Sequence, residues 1–253
     1  MLIEVEVYHL EKSWLAGVGT LEILESGPLR VVLGISHPIT PTSTLRQRIM
    51  ISNGMQIDFD NDLDWHESHK ILKVEFPLLL KSDFATFETQ FGHLQRPTHG
   101  NSSWDLAKFE VCGHRWIDLS EFDYGVSLLN DCKYGFRVKD SMMHMSIIRS
   151  PKSPDNECDM GNHVFKYALL AHTGTFHSTI QRAHEFNCPV QLNLKHEVDI
   201  LFAFDKPNII LDTIKLAQNS EDIVIRAYEA FGGRCSAKLS RYHYFDFSCK
   251  KIE

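Results

Sequence analysis

The sequence predicts an all-β protein, and three observations support this fold class. Apolar and polar residues alternate with period two through most of the first two-thirds of the chain. Runs of β-branched and aromatic residues recur between turn signals, and one segment alone has convincing helical spacing. We therefore expect a large antiparallel β-sandwich with one short helix. We assign residues 1–190 to the sandwich core and residues 191–253 to a C-terminal β segment that is truncated.

The candidate strands are short alternating segments, and turn residues separate them. Leu72, Val74 and Phe76, for example, share one face of an extended segment and would be buried together. The Asn53-Gly54 step lies between two alternating runs and predicts a hairpin. The predicted strands cover residues 29–35, 44–51, 55–65, 71–76, 84–91, 107–112, 125–129, 142–148, 163–170, 209–213, 222–230 and 241–247.

The single predicted helix covers residues 175–186. Phe176, Ile180 and Ala183 fall on one helical face, which would pack on the sandwich. Pro189 lies just beyond its end, where a helix cannot continue.

Composition restricts the classes of partner. The chain of 253 residues has a formal net charge of −7, and its lysines and arginines are scattered, which argues against a nucleic-acid partner. No apolar run has the length of a membrane span, and the acids within the first residues argue against a signal peptide. The six cysteines form no CxxC pair, so we expect reduced thiols in a cytosolic protein.

Residues 96–134 are unusually rich in aromatic, acidic, amide and histidine side chains. Arg96, Trp104 and Asp105 have the chemistry of a sugar site, because an indole covers the apolar face of a pyranose while polar groups bind its hydroxyls. The structural alternative is that Trp104 is a core aromatic and Asp105 caps a turn.

A second cluster, of histidines and one acid, has both a metal-binding and a structural explanation. His66, Glu67 and His69 could ligate zinc, but adjacent residues of a strand point to opposite faces, which favours a polar cluster at a strand end. A metal hydrolase that adds His93 and His99 to these histidines is the weakest hypothesis.

His114 and Asp118 could form a catalytic pair, with Cys112 as a nearby thiol. No Gly-x-Ser-x-Gly elbow accompanies them, and a cysteine nucleophile would need a depressed pKa. A structural role is therefore favoured for all three residues.

Five segments, taken together, resemble one family. They are QFGHLQRPTHGNSSWDLAKFEV, HRWIDLSEFDYGVSLLNDCKYG, IVIRAYEAFGGRCSAKL, MQIDFDNDLDWHESHKILKVEFP and IIRSPKSPDNECDMG. The segments occur along the chain in the same order as in the family. They resemble the C-terminal β-region of glycoside hydrolase family 38, in its cytosolic and vacuolar α-mannosidase branch. The resemblance implies a supersandwich of the galactose-mutarotase type.

The resemblance also implies a division of labour. The family removes terminal α-mannose with retention, using two carboxyl groups. Its nucleophile and its divalent metal, zinc or cobalt, lie in an N-terminal β/α domain that carries a His-x-Asp pair. None of the fourteen histidines here is followed two residues later by aspartate. We therefore expect no catalytic residue, no bound metal and no activity in this chain alone.

The partners implied are the catalytic β/α domain and a mannose-containing oligosaccharide, in the cytoplasm or vacuole. By segment order, Arg149 matches an arginine that the family's β-region places at the rim of the mannose pocket, and the long polar loop 150–161 follows it. The predicted substrate-binding residues are thus Arg149, Arg96, Trp104 and Asp105. A stand-alone carbohydrate-binding or interaction module without catalysis is the alternative.

Overall fold

The computed structural model describes residue 13, residues 15–189 and residues 202–241. Strands dominate these residues, and two helices interrupt them. The elements are β1 (Thr20–Ser26), β2 (Arg30–Pro38), β3 (Thr44–Ser52), β4 (Gln56–Trp65), β5 (Ile71–Pro77), β6 (Phe84–Thr89), β7 (Gly92–Pro97), α1 (Ser103–Leu106), β8 (Val111–Cys112), β9 (Trp116–Ser120), β10 (Tyr124–Asn130), β11 (Gly135–Lys139), β12 (Met142–Arg149), β13 (Gly161–Thr173), α2 (His177–Asn187), β14 (Phe202–Phe204), β15 (Ile209–Leu216), β16 (Ile223–Glu229) and β17 (Leu239–Arg241).

Two antiparallel sheets form the sandwich. The larger sheet has nine strands in the order β1-β2-β3-β4-β13-β10-β9-β6-β7, and the smaller has the order β5-β12-β11-β8. Side chains from both sheets meet in one apolar core, which includes Trp65, Phe136, Met145 and Phe165. The sandwich is held together because each sheet hides one apolar face against the other.

Strand β4 shows how the alternation is used. Leu63 and Trp65 are fully buried in the core between the sheets. Asp60, Asp62 and Asp64 alternate with them and therefore point away from the core. On the neighbouring strand β13, the inward residues continue the same apolar layer, so the register of the pair is set by the hydrophobic pattern.

A second, smaller core lies on the opposite face of the nine-stranded sheet. Trp116, Leu129 and Leu170 of that sheet pack with Ile180 of α2 and with Tyr228 of β16. The central strands are consequently buried on both faces, and α2 and the β15–β16 hairpin cover what would otherwise be exposed apolar surface.

The all-β class, the antiparallel sandwich and the helix are confirmed. The hairpin predicted at Asn53-Gly54 joins β3 to β4, and the predicted helix is α2. Prediction missed five of the described strands, which are β1, β7, β9, β11 and β14.

The prediction of a strand over residues 107–112 is wrong in its first half. Residues 107–110 form a turn and irregular backbone after the one-turn helix Ser103–Leu106, and strand pairing begins only at Val111. A capping box starts that helix, because Ser102 and Asp105 satisfy each other's backbone N–H groups.

The strand predicted over residues 241–247 begins in β17, and its remainder lies outside the described residues. The division into residues 1–190 and 191–253 stays a prediction. Within residues 15–189 and 202–241, no helix is long and apolar enough to cross a membrane.

Candidate functional site

Arg149 lies at the end of β12, where the chain enters the long polar loop. The residue is half-buried and pairs with Ile71 in the sheet register. Ser150, which follows it, is fully buried and accepts a hydrogen bond from Trp65 Nε1 at 2.6 Å. The backbone that carries Arg149 is therefore fixed by the core, as a positioning element requires.

Glu67 sits close to this strand end in a dense polar network. Thr42 Oγ1 donates to its carboxylate at 2.8 Å and Ser43 Oγ at 3.0 Å, and Thr40 and Lys70 also bond to it. Burial opposes ionisation of this carboxyl group. The bonds from Lys70 and the three hydroxyls outweigh burial and lower the pKa of Glu67 to about 2.

His66 and His93, two of the candidate metal ligands, contact different groups in different parts of the fold. His66 Nε2 lies 2.7 Å from Asp64 Oδ1, whereas Glu67 is engaged by hydroxyls. His93 lies elsewhere, with its ring 4.6 Å from that of Phe176. Among the residues that the structure describes, no group of three or more His, Cys, Asp or Glu side chains could hold a metal ion. The divalent metal of the family therefore has no fitting donor set there.

Arg96 and Asp105 line one small cavity, which we call the Arg96 cavity. Its volume is about 60 Å³, and Arg137 and Lys139 of β11 also line it. The Arg96 guanidinium stacks 4.5 Å from the centre of the Phe87 ring, and burial lowers its pKa. Its Nη1 is buried without a hydrogen-bond partner among the described residues. The cavity is far smaller than the several hundred Å³ of ordinary ligand pockets.

The structural alternative to a sugar site, a core Trp104 and a turn-capping Asp105, is right for Asp105 and wrong for Trp104. Trp104 is 81% exposed, so its assignment as a core aromatic is wrong. The α1 helix carries it outward, because the capping box fixes the orientation of that turn. Asp105 does act as a cap: its carboxylate accepts from Ser102 Oγ at 2.7 Å, and that bond is the main cause of its lowered pKa.

The four predicted binding residues do not form one site. Arg96 and Asp105 meet in the Arg96 cavity, and Trp104 lies beside it without lining it. Arg149 is the last residue of β12. Lys139, which lines the Arg96 cavity, pairs with Met142 at the opposite end of that strand, so Arg149 lies away from the cavity.

A larger cavity takes part of its lining from the polar stretch 96–134, but none of the four predicted binding residues lines it. We call it the Phe91 cavity. It has a volume of about 310 Å³ and is built from the β6–β7 turn, the residues before β9, the turn over 130–134 and Asp212 of β15. Glu88 and Arg115 pair inside it, with Nη2 to Oε1 at 2.7 Å. Burial opposes the charge of Arg115, but Glu88 more than compensates and raises its pKa.

Asp118 pairs with a residue that sequence reasoning did not single out. His172 Nε2 lies 2.7 Å from Asp118 Oδ2, and Ser127 Oγ donates to the same oxygen at 2.7 Å. Both members of the His–Asp pair are almost completely buried. The His114 ring packs edge-on against Tyr134 with ring centroids 5.5 Å apart, and the possible His114–Asp118 pair does not form. Fifty-four residues separate the true partners, and no local signal connects them.

Family models match most of the chain. The model described as the glycosyl hydrolases family 38 C-terminal domain matches residues 4–157. A second model, the glycosyl hydrolases family 38 C-terminal beta sandwich domain, matches residues 208–253. Fold and sequence together define a C-terminal β-sandwich module of a glycosyl hydrolase. The chain belongs to glycosyl hydrolase family 38.

Curated relatives agree with this assignment. The chain is 41% identical to Alpha-mannosidase G of Dictyostelium discoideum over 90% of its own length, which is 22% of that protein. It is 44% identical to human Alpha-mannosidase 2C1 over 93% of its length, which is 24% of that protein. The chain thus spans about a quarter of the relatives that it matches.

A solved structure shows the same fold. The chain is similar to an alpha-mannosidase from Enterococcus faecalis with a TM-score of 0.75 and 14% sequence identity. The match covers 88% of this chain and 31% of that one. The antiparallel sandwich is therefore shared with a solved alpha-mannosidase at low sequence identity.

Proposed function

We propose that this chain is the C-terminal β-domain of a retaining α-mannosidase that removes terminal α-mannose from free oligosaccharides. One observation carries the proposal. Two C-terminal family 38 models match the chain, and relatives named as α-mannosidases match over nine-tenths of it at 41–44% identity. The same relatives extend far beyond the matched region, which supports placing the catalytic carboxyl groups in another domain.

In this proposal the partner is a catalytic β/α domain. That domain holds the divalent ion, zinc or cobalt, and both reacting carboxyl groups. The β-sandwich supports it and forms one wall of the mannose pocket, where Arg149 binds sugar hydroxyls. The fixed backbone around Arg149 and Ser150 supports this role, because a binding side chain needs a rigid base.

We place the enzyme in the cytosol or the vacuole. The five described cysteines, Cys112, Cys132, Cys158, Cys188 and Cys235, are all free thiols. Free thiols in a chain of this size favour a reducing compartment.

A chimera tests the proposal. The corresponding quarter of Dictyostelium Alpha-mannosidase G is replaced by this chain, and hydrolysis of a chromogenic α-mannoside is measured. We expect the chimera to hydrolyse the substrate and the 253-residue chain alone not to do so. In the chimera, Arg149→Ala should raise KM about tenfold, because one charged hydrogen bond to the substrate is lost. An inactive but folded chimera, or chelator-sensitive turnover by the chain alone, would contradict the proposal.

The second candidate function is a stand-alone carbohydrate-binding module. The exposure of Trp104 favours it, because an indole on the surface can stack on a pyranose. Titration with mannobiose would quench or shift Trp104 fluorescence if the ring binds sugar. An unchanged spectrum, with Trp104→Phe as the reference for the indole signal, removes this candidate.

A further inference from the structure

We propose that the Phe91 cavity is a binding site for a neutral saccharide. The existence of the site is argued from its geometry alone. The choice of an α-mannoside as its ligand rests on the proposed function.

The cavity has the size and construction of a ligand site. Its volume of about 310 Å³ falls within the range of small-molecule pockets, whereas the Arg96 cavity does not. Four separate chain segments converge on it, including Asp212 of the β15–β16 hairpin. Such a cavity can enclose one or two sugar rings.

Two exposed aromatic rings stand at this cavity. Phe91 is 56% exposed and Tyr134 is 59% exposed, although large aromatics are normally buried. Each is held in place by a second ring: Phe91 packs edge-on against Tyr228 at 5.4 Å, and Tyr134 against His114 at 5.5 Å. Rigid, exposed ring faces are suited to stacking on the C–H face of a pyranose.

Phe91 adopts a backbone conformation that a bulky residue avoids. Its φ is 55°, in the left-handed region, at the second position of the turn between β6 and β7. Glycine would satisfy this position without strain, and the left-handed region costs other residues about 1–2 kcal/mol. The ring gains too little burial to repay that cost, so a role at the cavity explains its presence.

Polar groups for sugar hydroxyls are available in the same cavity. The Gln90 amide and the His114 ring nitrogens make no hydrogen bond within the described residues. Each can donate and accept, as recognition of a hydroxyl requires.

The charged groups that line the cavity favour a neutral ligand over an anion. Glu88 receives both Nε and Nη2 of Arg115, at 3.0 and 2.7 Å. Lys133 stacks 4.7 Å over the Phe165 ring, and Asp212 faces Arg226 at 3.6 Å. The lining acids Glu88, Asp131 and Asp212 outnumber the lining bases Arg115 and Lys133, which disfavours a phosphate or carboxylate ligand.

Titration of the 253-residue chain tests the site. Methyl α-mannoside, α-1,2-mannobiose, cellobiose and inorganic phosphate are added in turn, and amide chemical shifts are recorded with calorimetry. We expect mannobiose to shift the amides of Gln90 and Lys133. Loss of one stacking ring in Tyr134→Ala should weaken binding about tenfold.

Three variants separate binding from folding. Phe91→Gly relieves the backbone strain, so it should unfold at an equal or higher temperature while binding about tenfold more weakly. Tyr134→Phe keeps the ring and should bind within about threefold of the original. Trp104→Ala removes an exposed aromatic outside this cavity and should not change binding at Gln90.

Each outcome decides a separate point. Binding of cellobiose alone supports a saccharide site and overturns the choice of an α-mannoside as its ligand. Shifts caused only by phosphate, or mannobiose binding that Tyr134→Ala and Phe91→Gly leave unchanged, overturn the proposal, as does the absence of any saccharide binding. The chimera's activity is scored independently, so failure of this site leaves the proposed function standing.

Discussion

At the scale of the residue, Glu67 shows how one buried carboxylate joins separate chain segments. Its carboxylate accepts hydrogen bonds from hydroxyls of the loop before β3 and forms an ion pair with an ammonium of the loop before β5. These contacts stabilise the ionised form far more than the protonated one. The network therefore holds the strand ends near Arg149 only while Glu67 carries its charge.

Replacing Glu67 by Gln should remove this dependence on pH. The folded-state pKa of about 2 lies below the ordinary value of 4.5, so the carboxylate stabilises the fold above pH 4.5. That stability is lost as pH falls towards 2. We expect Glu67→Gln to lower the free energy of unfolding at pH 7 by about 2 kcal/mol and to flatten its slope between pH 4.5 and 2, measured by urea denaturation. Glu25→Gln, in an exposed ion pair, is the control and should unfold like the original chain.

Gly125 is required by the buried Asp118–His172 pair. A Cβ at this position would lie 2.5 Å from His172 Cε1 and closer still to Ser120 Oγ. We expect Gly125→Ala to destabilise the fold by about 2 kcal/mol, because the pair cannot move within its packed surroundings. Gly54→Ala is the matched control, since no atom lies within 4 Å of its Cβ. Thermal unfolding that is equal for the two variants would contradict the argument.

For the strands, the alternation of apolar and polar residues is visible in the sequence when one face of the strand is exposed to solvent. β4 alternates apolar and polar residues because its outward aspartates reach solvent, so its period is visible. β9 was missed because four consecutive residues from Trp116 are buried, two facing each core. β1 was missed for the opposite reason: almost all of it is exposed, and its pairing with β2 decides its conformation.

The candidate sites were less predictable than the strands. Trp104 and Asp105 were found because they are adjacent and chemically distinctive. The Phe91 cavity brings Gln90 together with Asp212, which lies in a different sheet, and no local pattern encodes that proximity. The same holds for Asp118 and His172, whose contact depends on the pairing of β10 with both β9 and β13.

Helix α2 should contribute stability through one apolar residue. Ile180 is 5% exposed and packs in the second core with the sheet and the β15–β16 hairpin. We expect Ile180→Ala to cost about 3 kcal/mol in the free energy of unfolding, from lost burial and a cavity. Leu216→Ala, at an exposed position of β15, should cost less than 1 kcal/mol by the same urea measurement, as surface substitutions typically do. Equal effects would show that α2 does not pack as described.

At the scale of the whole molecule, the sandwich presents apolar side chains on adjoining loops. Leu79 and Phe122 are almost completely exposed. Their loops are tied together, because the Lys81 amide donates to Glu121 Oε1 at 2.7 Å. Neighbouring apolar groups on a surface promote association.

The double substitution Leu79→Ser and Phe122→Ser should reduce self-association of the isolated chain. Both side chains lie outside the cores, so thermal stability should stay within about 0.5 kcal/mol. Sedimentation across a range of concentrations measures the effect. Val164→Ser removes an exposed apolar residue on the aspartate-bearing face and should leave association unchanged. Association that persists in the double variant would place the contact elsewhere.

The pairing of β13 with β4 also determines when during synthesis the large sheet can be completed. Trp65 pairs with Gly161 and Gln56 with Leu170, so roughly a hundred residues separate the two strands. At a synthesis rate of about 5–20 residues per second, β4 waits roughly 5–20 s on the ribosome before its partner emerges. During that interval the aspartates on its outer face keep the open strand edge hydrated and repel other nascent chains.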